Sequence, residues 1–198
     1  MDDRNTASSR SKRDRKPLDQ QRLEALALAY VARYATSAFR LETYLRRKLR
    51  ECPWDDPSEP DVSALVSRYV ECGYVDDAGF ARSRARDLLR RGYGARRVSQ
   101  ALAQAGIAQS VSDGMEMDEY RLRESALRLA QKRRFGPYAT PCASGAGEQD
   151  PINHSIRQKH IAAMLRAGHN MEHILAVIDA GDIDSAEQWL AETREDYS

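Results

Sequence analysis

The chain has 198 residues, of which 41% are apolar, 31% charged and 7% aromatic, with a formal net charge of +1. That allows one large domain or several small modules with small cores, and the abundance of Leu, Ala, Arg and Glu favours helices. The odd cysteine count (Cys52, Cys72, Cys142) without a CxxC argues against a disulfide framework, and there is no apolar run of membrane-spanning length and no secretory h-region, so a cytoplasmic protein with no membrane partner is expected.

Residues 1–17 are polar and basic and bury too little apolar surface to offset ordering entropy, so a disordered tail is expected. From Leu18 to Ala35, Leu23, Leu26, Tyr30 and Tyr34 recur at helical spacing. Ser37 is placed to cap a second helix, with Leu41, Leu45 and Leu49 on one face and Arg46, Arg47, Lys48 and Arg50 turned elsewhere. Pro53, Pro57 and Pro60 mark a loop. Asp61 or Ser58 then starts a third helix striped by Val62, Leu65, Val66, Tyr69 and Val70, and Gly73 ends it. Asp76 or Asp77 caps a fourth, Asp77 to Arg91. Gly92-Tyr93-Gly94 breaks that helix, and a fifth runs from Ala95 to Ala105 before Gly106. Residues 108–116 read as a weaker helix containing Gly114, and Asp118 to Arg134 as a strong one. Gly136 to Asp150 is a Gly-, Pro-, Ala- and Ser-rich loop, for which flexibility is expected. Pro151 opens a helix that Gly168 stops, Asn170 caps the next, and Asp182 or Asp184 starts a short terminal one.

No period-two alternation persists, so the expected class is all-α. The ending ALAQAG at Gly106 recurs as AMLRAG at Gly168, and LRRKLREC around Leu49 is a related segment without the glycine. Aligning Leu49, Leu102 and Met164 gives offsets of 53 and 62, hence three three-helix units of unequal length. The expected organisation is a tail at 1–17, units at 18–75, 76–117 and 118–181 with a flexible loop at 136–150, and an acidic tail at 182–198. Such tandem repeats would stack into an elongated, curved array.

The stretch GYVDDAGFA, followed by RRGYGARRVSQALAQAGI, resembles the signature of the RecX family of recombination regulators. The resemblance spans roughly Leu18 to Ile178 and is strongest from Gly73 to Ile107. It implies tandem three-helix repeats and a protein that binds RecA and its nucleoprotein filament and modulates, usually inhibits, strand exchange and ATP hydrolysis. It implies no catalytic centre. Three features depart from the family pattern. Arg166-Ala167-Gly168-His169 replaces an Arg-Gly-Phe-like turn, the 136–150 loop is long, and Ser37 lacks the glutamate that often follows.

The candidate contact residues are basic. Residues 1–100 hold 21 Lys+Arg against 15 Asp+Glu, and the remainder 10 against 15, a basic half and an acidic one. Arg82, Arg86 and Arg90 form an i, i+4, i+8 stripe, and Arg90, Arg91, Arg96 and Arg97 flank Gly92. Cations in a first helical turn oppose the helix dipole, yet free first-turn amides beside guanidinium groups make an anion site. A phosphate of DNA or a carboxylate of RecA would fit it. Arg46, Arg47 and Lys48 form a second cluster, and Lys132, Arg133 and Arg134 a third. Each of these also reads as a solvated face or a response to a helix dipole. Gly73, Tyr74, Asp76, Asp77, Phe80, Gly92, Tyr93 and Gly106 are the motif-like residues and read as turn-forming and packing first.

Catalysis, metal and cofactor are not expected. His169 and His173 have no HExxH or Cys companion, and GYGARR lacks the GK[ST] ending of a phosphate loop. The expected protein is therefore a monomeric, non-enzymatic modulator of RecA. The rival is a helix-turn-helix regulator acting on duplex DNA without RecA, with Arg96, Arg97, Gln100 and Gln104 facing the bases.

Overall fold

The computed structural model describes residues 16–114, 117–139 and 151–195. The expected basic tail up to residue 15, residues 140–150 of the expected loop and the last three residues lie outside them. The described residues form ten α-helices and no extended sheet: α1 Gln20–Arg33, α2 Ala38–Glu51, α3 Val62–Glu71, α4 Asp77–Arg90, α5 Ala95–Gln104, α6 Gln109–Asp113, α7 Glu119–Arg133, α8 Pro151–Ala167, α9 Met171–Ile178 and α10 Ile183–Glu195. Two compact units result, Met1–Phe80 with Ala105–Ile107, and Ala81–Gln104 with Ala108–Ser198.

The first unit is built on α1, α2 and α3. The Asp19 carboxylate accepts from the Arg22 amide at 2.8 Å and starts α1. Leu18, expected inside that helix, lies before its cap instead. Its amide donates to the Pro53 carbonyl and its carbonyl accepts from the Asp55 amide, both at 2.8 Å, in a single parallel bridge with Trp54. Ser37 caps α2, and Asp61, rather than Ser58, caps α3 through the Ala64 amide. Leu23, Ala27, Leu41, Leu45, Val62, Leu65, Val66, Tyr69 and Val75 make the core. A fully buried leucine contributes about 1.5–3 kcal/mol over an exposed one, so Leu41 and Leu45 anchor α2 while the half-buried Leu49 closes its edge.

A joint between chain-distant segments completes this unit. The Ser37 hydroxyl donates to the Ala105 carbonyl at 2.6 Å while accepting from the Arg40 amide. Asp77 accepts from the Ala38 amide at 2.9 Å, and the Phe39 ring fills the space beside Gly106. The N-terminus of α2 is thus held by the turn that follows α5.

The second unit contains most of α4 and all of α5 to α10. Asp76 caps α4 by accepting from the Gly79 amide, which leaves Asp77 for Ala38. Of the weak helix, Gln109–Asp113 is helical with Gly114 as its closing residue, and the expected positions 115 and 116 lie outside the described residues. Asn170 caps α9 and Asp182 caps α10. Ala126, Leu127, Ala130, Met164, Ile174, Val177, Ile178 and Ala186 form the core shared by α7, α8, α9 and α10.

A second joint holds the N-terminus of α5. The Gly94 amide donates to the Ala167 carbonyl at 3.0 Å, and the Arg96 amide donates to the Gly168 carbonyl at 3.1 Å. His169, only 5% exposed, places Nε2 3.0 Å from the Gly92 carbonyl. A carbonyl only accepts, so Nε2 carries the proton. Gly168 has φ +93, and a Cβ there would meet the backbone nitrogen of Arg97; a Cβ on Gly94 would meet the carbonyl group of Gly168. Both positions require glycine for close approach.

These joints set the repeat register. Leu41 and Leu45 lie four and eight positions after Ser37, and Val98 and Leu102 lie four and eight after Gly94; all four are buried. Leu45, not Leu49, is therefore the counterpart of Leu102. Matching the segment LRRKLREC by composition shifts the first unit by one helical turn, whereas the start of the helix is the true marker.

Candidate anionic-partner interface

The basic stripe lies on the exposed side of α4. Arg82, Arg86 and Arg90 are exposed, opposite the buried Ala81, Ala85, Leu88 and Leu89. Arg90 is paired with Asp87 at 3.0 Å, and Arg82 is also engaged, so Arg86 is the one cation of the three without a partner among the described residues. The sequence reading passes over Arg84 on the same helix, which is half-buried with an Nε that has no hydrogen-bond partner among the described residues.

Around Gly92 the guanidinium groups are available, whereas three of the nearby amides are not. Arg91, Arg96 and Arg97 are exposed and have no ion pair among the described residues. The expected anion site also needs free first-turn amides. Those of Gly94 and Arg96 are taken by Ala167 and Gly168, and that of Arg97 by Gly94. The carbonyls that end α8 thus meet the N-terminus of α5. Their partial negative charge offsets the local cost of Arg96 and Arg97, which an isolated helix would leave uncompensated.

The other clusters differ in the same respect. Arg46 is held by Glu42 at 2.6 Å, and Arg47 and Lys48 by Glu51 at 3.8 and 3.3 Å. Arg47 and Lys48 also lie 5.6 and 5.7 Å from the centre of the Tyr44 ring, which is itself stacked on Tyr30. Two glutamates of the same helix offset part of this second cluster's charge. Lys132 and Arg133 end α7, and Arg134 closes it in the left-handed conformation, φ 57.

The structure brings the first and third clusters together. Arg91, Gly92 and Tyr93 share one recess of about 280 Å³ with Leu129, Lys132, Arg133, Phe135, Ala163, Arg166 and Ala167. The C-terminal ends of α4, α7 and α8 meet there. Arg166 is the member that sequence reasoning missed as a contact residue. Its signal was present, since it occupies the last turn of a helix ending in the same kind of glycine turn. Arg82, Arg86, Arg90, Arg96 and Arg97 do not line this recess.

The remaining motif residues sit in the first unit. Gly73 closes α3, and Tyr74, 58% exposed, tilts against Tyr69 with ring centres 5.5 Å apart. Phe80 lies under the Arg40 guanidinium at 5.2 Å. Tyr93, in the second unit, is 37% exposed, so neither tyrosine is fully packed.

The histidines are tied into the second unit. His173 Nε2 is 2.9 Å from Glu119, which also accepts from Arg123 at 2.9 Å. Burial pushes the Glu119 carboxyl upward, but these two hydrogen bonds and their charges hold it below its ordinary value. Burial lowers both His169 and His160, against a smaller opposing effect from Gly92 on His169. No group of three or more His, Cys, Asp or Glu side chains suited to a metal occurs among the described residues, and no described helix is long and apolar enough to cross a membrane.

Comparison with known proteins matches residues 76–113 to the family model described as RecX, second three-helix domain. The Regulatory protein RecX of Myxococcus xanthus (strain DK1622) is 31% identical over 170 residues, 80% of this chain and 84% of that one. The Regulatory protein RecX of Cronobacter sakazakii (strain ATCC BAA-894) is 31% identical over 102 residues, 48% of this chain and 62% of that one. The crystal structure of RecX from Lactobacillus salivarius superposes with a TM-score of 0.58 at 17% identity, covering 87% of this chain and 96% of the other. At that identity the likeness speaks to the fold, an all-α chain of helical repeats. The long relative, the central signature and the shared fold agree: the chain belongs to the RecX family of regulatory proteins.

Proposed function

We propose that this regulatory protein binds RecA and its nucleoprotein filament and inhibits RecA's recombinase and ATPase activities, with exposed arginines of α4 and α5 meeting acidic protein surface and DNA phosphates. The observation that carries the proposal is the excess of exposed, unpaired charge: Arg86, Arg91, Arg96 and Arg97 have no carboxylate partner among the described residues. Local structure supplies few counter-charges there, so an anionic partner gains attraction without first breaking ion pairs. Arg46, Arg47 and Lys48 contribute less, because Glu42 holds Arg46 and Glu51 is shared by Arg47 and Lys48. In this reading the protein works in the cytoplasm as a monomer, with no cofactor or catalytic centre, and 18–75, 76–117 and 118–181 act as three three-helix units.

The test is RecA ATPase on single-stranded DNA titrated with the purified protein. Inhibition at stoichiometric amounts is expected, and the combined Arg86→Glu, Arg96→Glu, Arg97→Glu variant should need about tenfold more protein for the same effect. Unchanged hydrolysis and strand exchange with the wild type would refute the proposal. A duplex-DNA regulator is the second reading, favoured by the joint exposure of Arg96, Arg97, Gln100 and Gln104 on α5. It predicts site-selective duplex binding that does not depend on RecA.

A further inference from the structure

The recess at the ends of α4, α7 and α8 has two kinds of wall. Leu129, Phe135 and Ala163 are apolar and half-buried, and Tyr93 stands at the edge. Arg91, Lys132, Arg133 and Arg166 surround them, and none has an ion pair among the described residues. Three helix C-termini, each worth about half a negative charge, explain some of this positive charge. Four unpaired cations exceed what they require.

The ligand chemistry follows from what the recess lacks. Enclosed phosphate sites add free backbone amides, above all at helix N-termini, to their cations. Here helices arrive by their C-termini. The nearby amides of Arg91, Gly92, Tyr93, Gly94 and Phe135 are all bonded to carbonyls. A phosphodiester pressed inside would meet apolar walls and carbonyl dipoles. The volume, about 280 Å³, falls just below the range of about 300–1,000 Å³ typical of small-molecule sites. It suits a single apolar side chain, with carboxylates on either side reaching the cations at the mouth.

We infer that this recess docks an acidic peptide segment of a partner protein through one apolar anchor residue flanked by Asp or Glu. The inference rests on the proposed RecA-directed role only in taking the partner to be a protein. Leu129 and Phe135 receive the anchor. Arg91, Arg166, Lys132 and Arg133 pair with the flanking carboxylates.

Fluorescence anisotropy of the full-length protein with a fluorescein-labelled peptide, Gly-Glu-Asp-Leu-Glu-Asp-Gly, tests this directly. Binding is expected, with a loss of about tenfold in the Arg91→Glu, Arg166→Glu variant at unchanged helicity. With the wild-type protein, replacing the peptide's Leu by Gly should cost about fivefold or more, and replacing its Asp and Glu by Asn and Gln should abolish binding. No binding of the parent peptide, or equal binding of the Leu-to-Gly peptide, overturns the inference. So does loss of oligothymidylate binding, in place of peptide binding, in the same variant, since the recess would then be a nucleic-acid site. A failure here with RecA inhibition intact removes the recess alone. A failure of inhibition with peptide binding intact removes the RecA reading alone.

Discussion

The two joints solve one problem with different chemistry. At each, the turn after a later helix is fastened to the N-terminus of an earlier one, after α5 to α2 in the first unit and after α8 to α5 in the second. In the first, side chains do the fastening: the Ser37 hydroxyl bridges the Ala105 carbonyl and the Arg40 amide, and Asp77 takes the Ala38 amide. In the second, backbone meets backbone through Gly94, Ala167, Arg96 and Gly168, and His169 adds a side-chain bond. A side chain spans a gap, so the first joint tolerates separation between its two backbones. The second has none to tolerate, because any Cβ on Gly94 or Gly168 overlaps backbone. Equivalent places in a repeat can therefore demand a hydroxyl in one copy and no side chain in the next.

Substitutions should separate the two joints by size of effect. Gly168→Ala is expected to be the most damaging, at about 3 kcal/mol by urea denaturation, because left-handed strain adds to overpacking against Arg97. Ser37→Ala removes a cap and leaves the buried Ala105 carbonyl unpaired, for about 2 kcal/mol. If Ser37→Ala proves the worse of the two, the backbone joint is looser than its geometry implies. Gly73→Ala meets nothing within 4 Å and retains only the φ +74 strain, so about 1 kcal/mol is expected.

The smallest effect is a pH dependence to which the second joint contributes. The folded protein holds His169 below its ordinary value of 6.5, mainly through burial, and His160 shifts the same way. The unfolded chain then binds more protons in this range, so stability is fully present above about pH 6.5 and is lost as pH falls from there toward the lower folded values. The wild-type melting temperature should fall between pH 7.5 and 5.5, and His169→Gln should flatten that slope. An equal slope in both proteins would place the titration elsewhere. Glu119 adds a separate loss only below its unfolded value, near 4.5.

Caps and stops were the legible part of this fold. Ser37, Asp61, Asn170 and the turn glycines mark helix ends by local chemistry, and local chemistry is what a sequence displays. Leu18 escaped because its partners, Pro53 and Asp55, lie beyond an intervening helix pair. The recess escaped for the same reason. Arg91, Lys132 and Arg166 belong to three different helices, and nothing in the spacing of any one of them reveals that their ends meet. The amides of α5 were misread as open because an N-terminus viewed alone always has free donors. The turn after α8 closes that of Arg96, and Gly94 closes that of Arg97.

The imidazole proton shared between His169 and the Gly92 carbonyl also gives the second unit a spectroscopic handle. A ring N–H on an exposed histidine exchanges with water too fast to observe. This one is buried and hydrogen-bonded, so it leaves only when the Gly92 and Gly168 turns part. Its resonance, followed by NMR as partners are added, would time the opening of a single joint inside the intact chain.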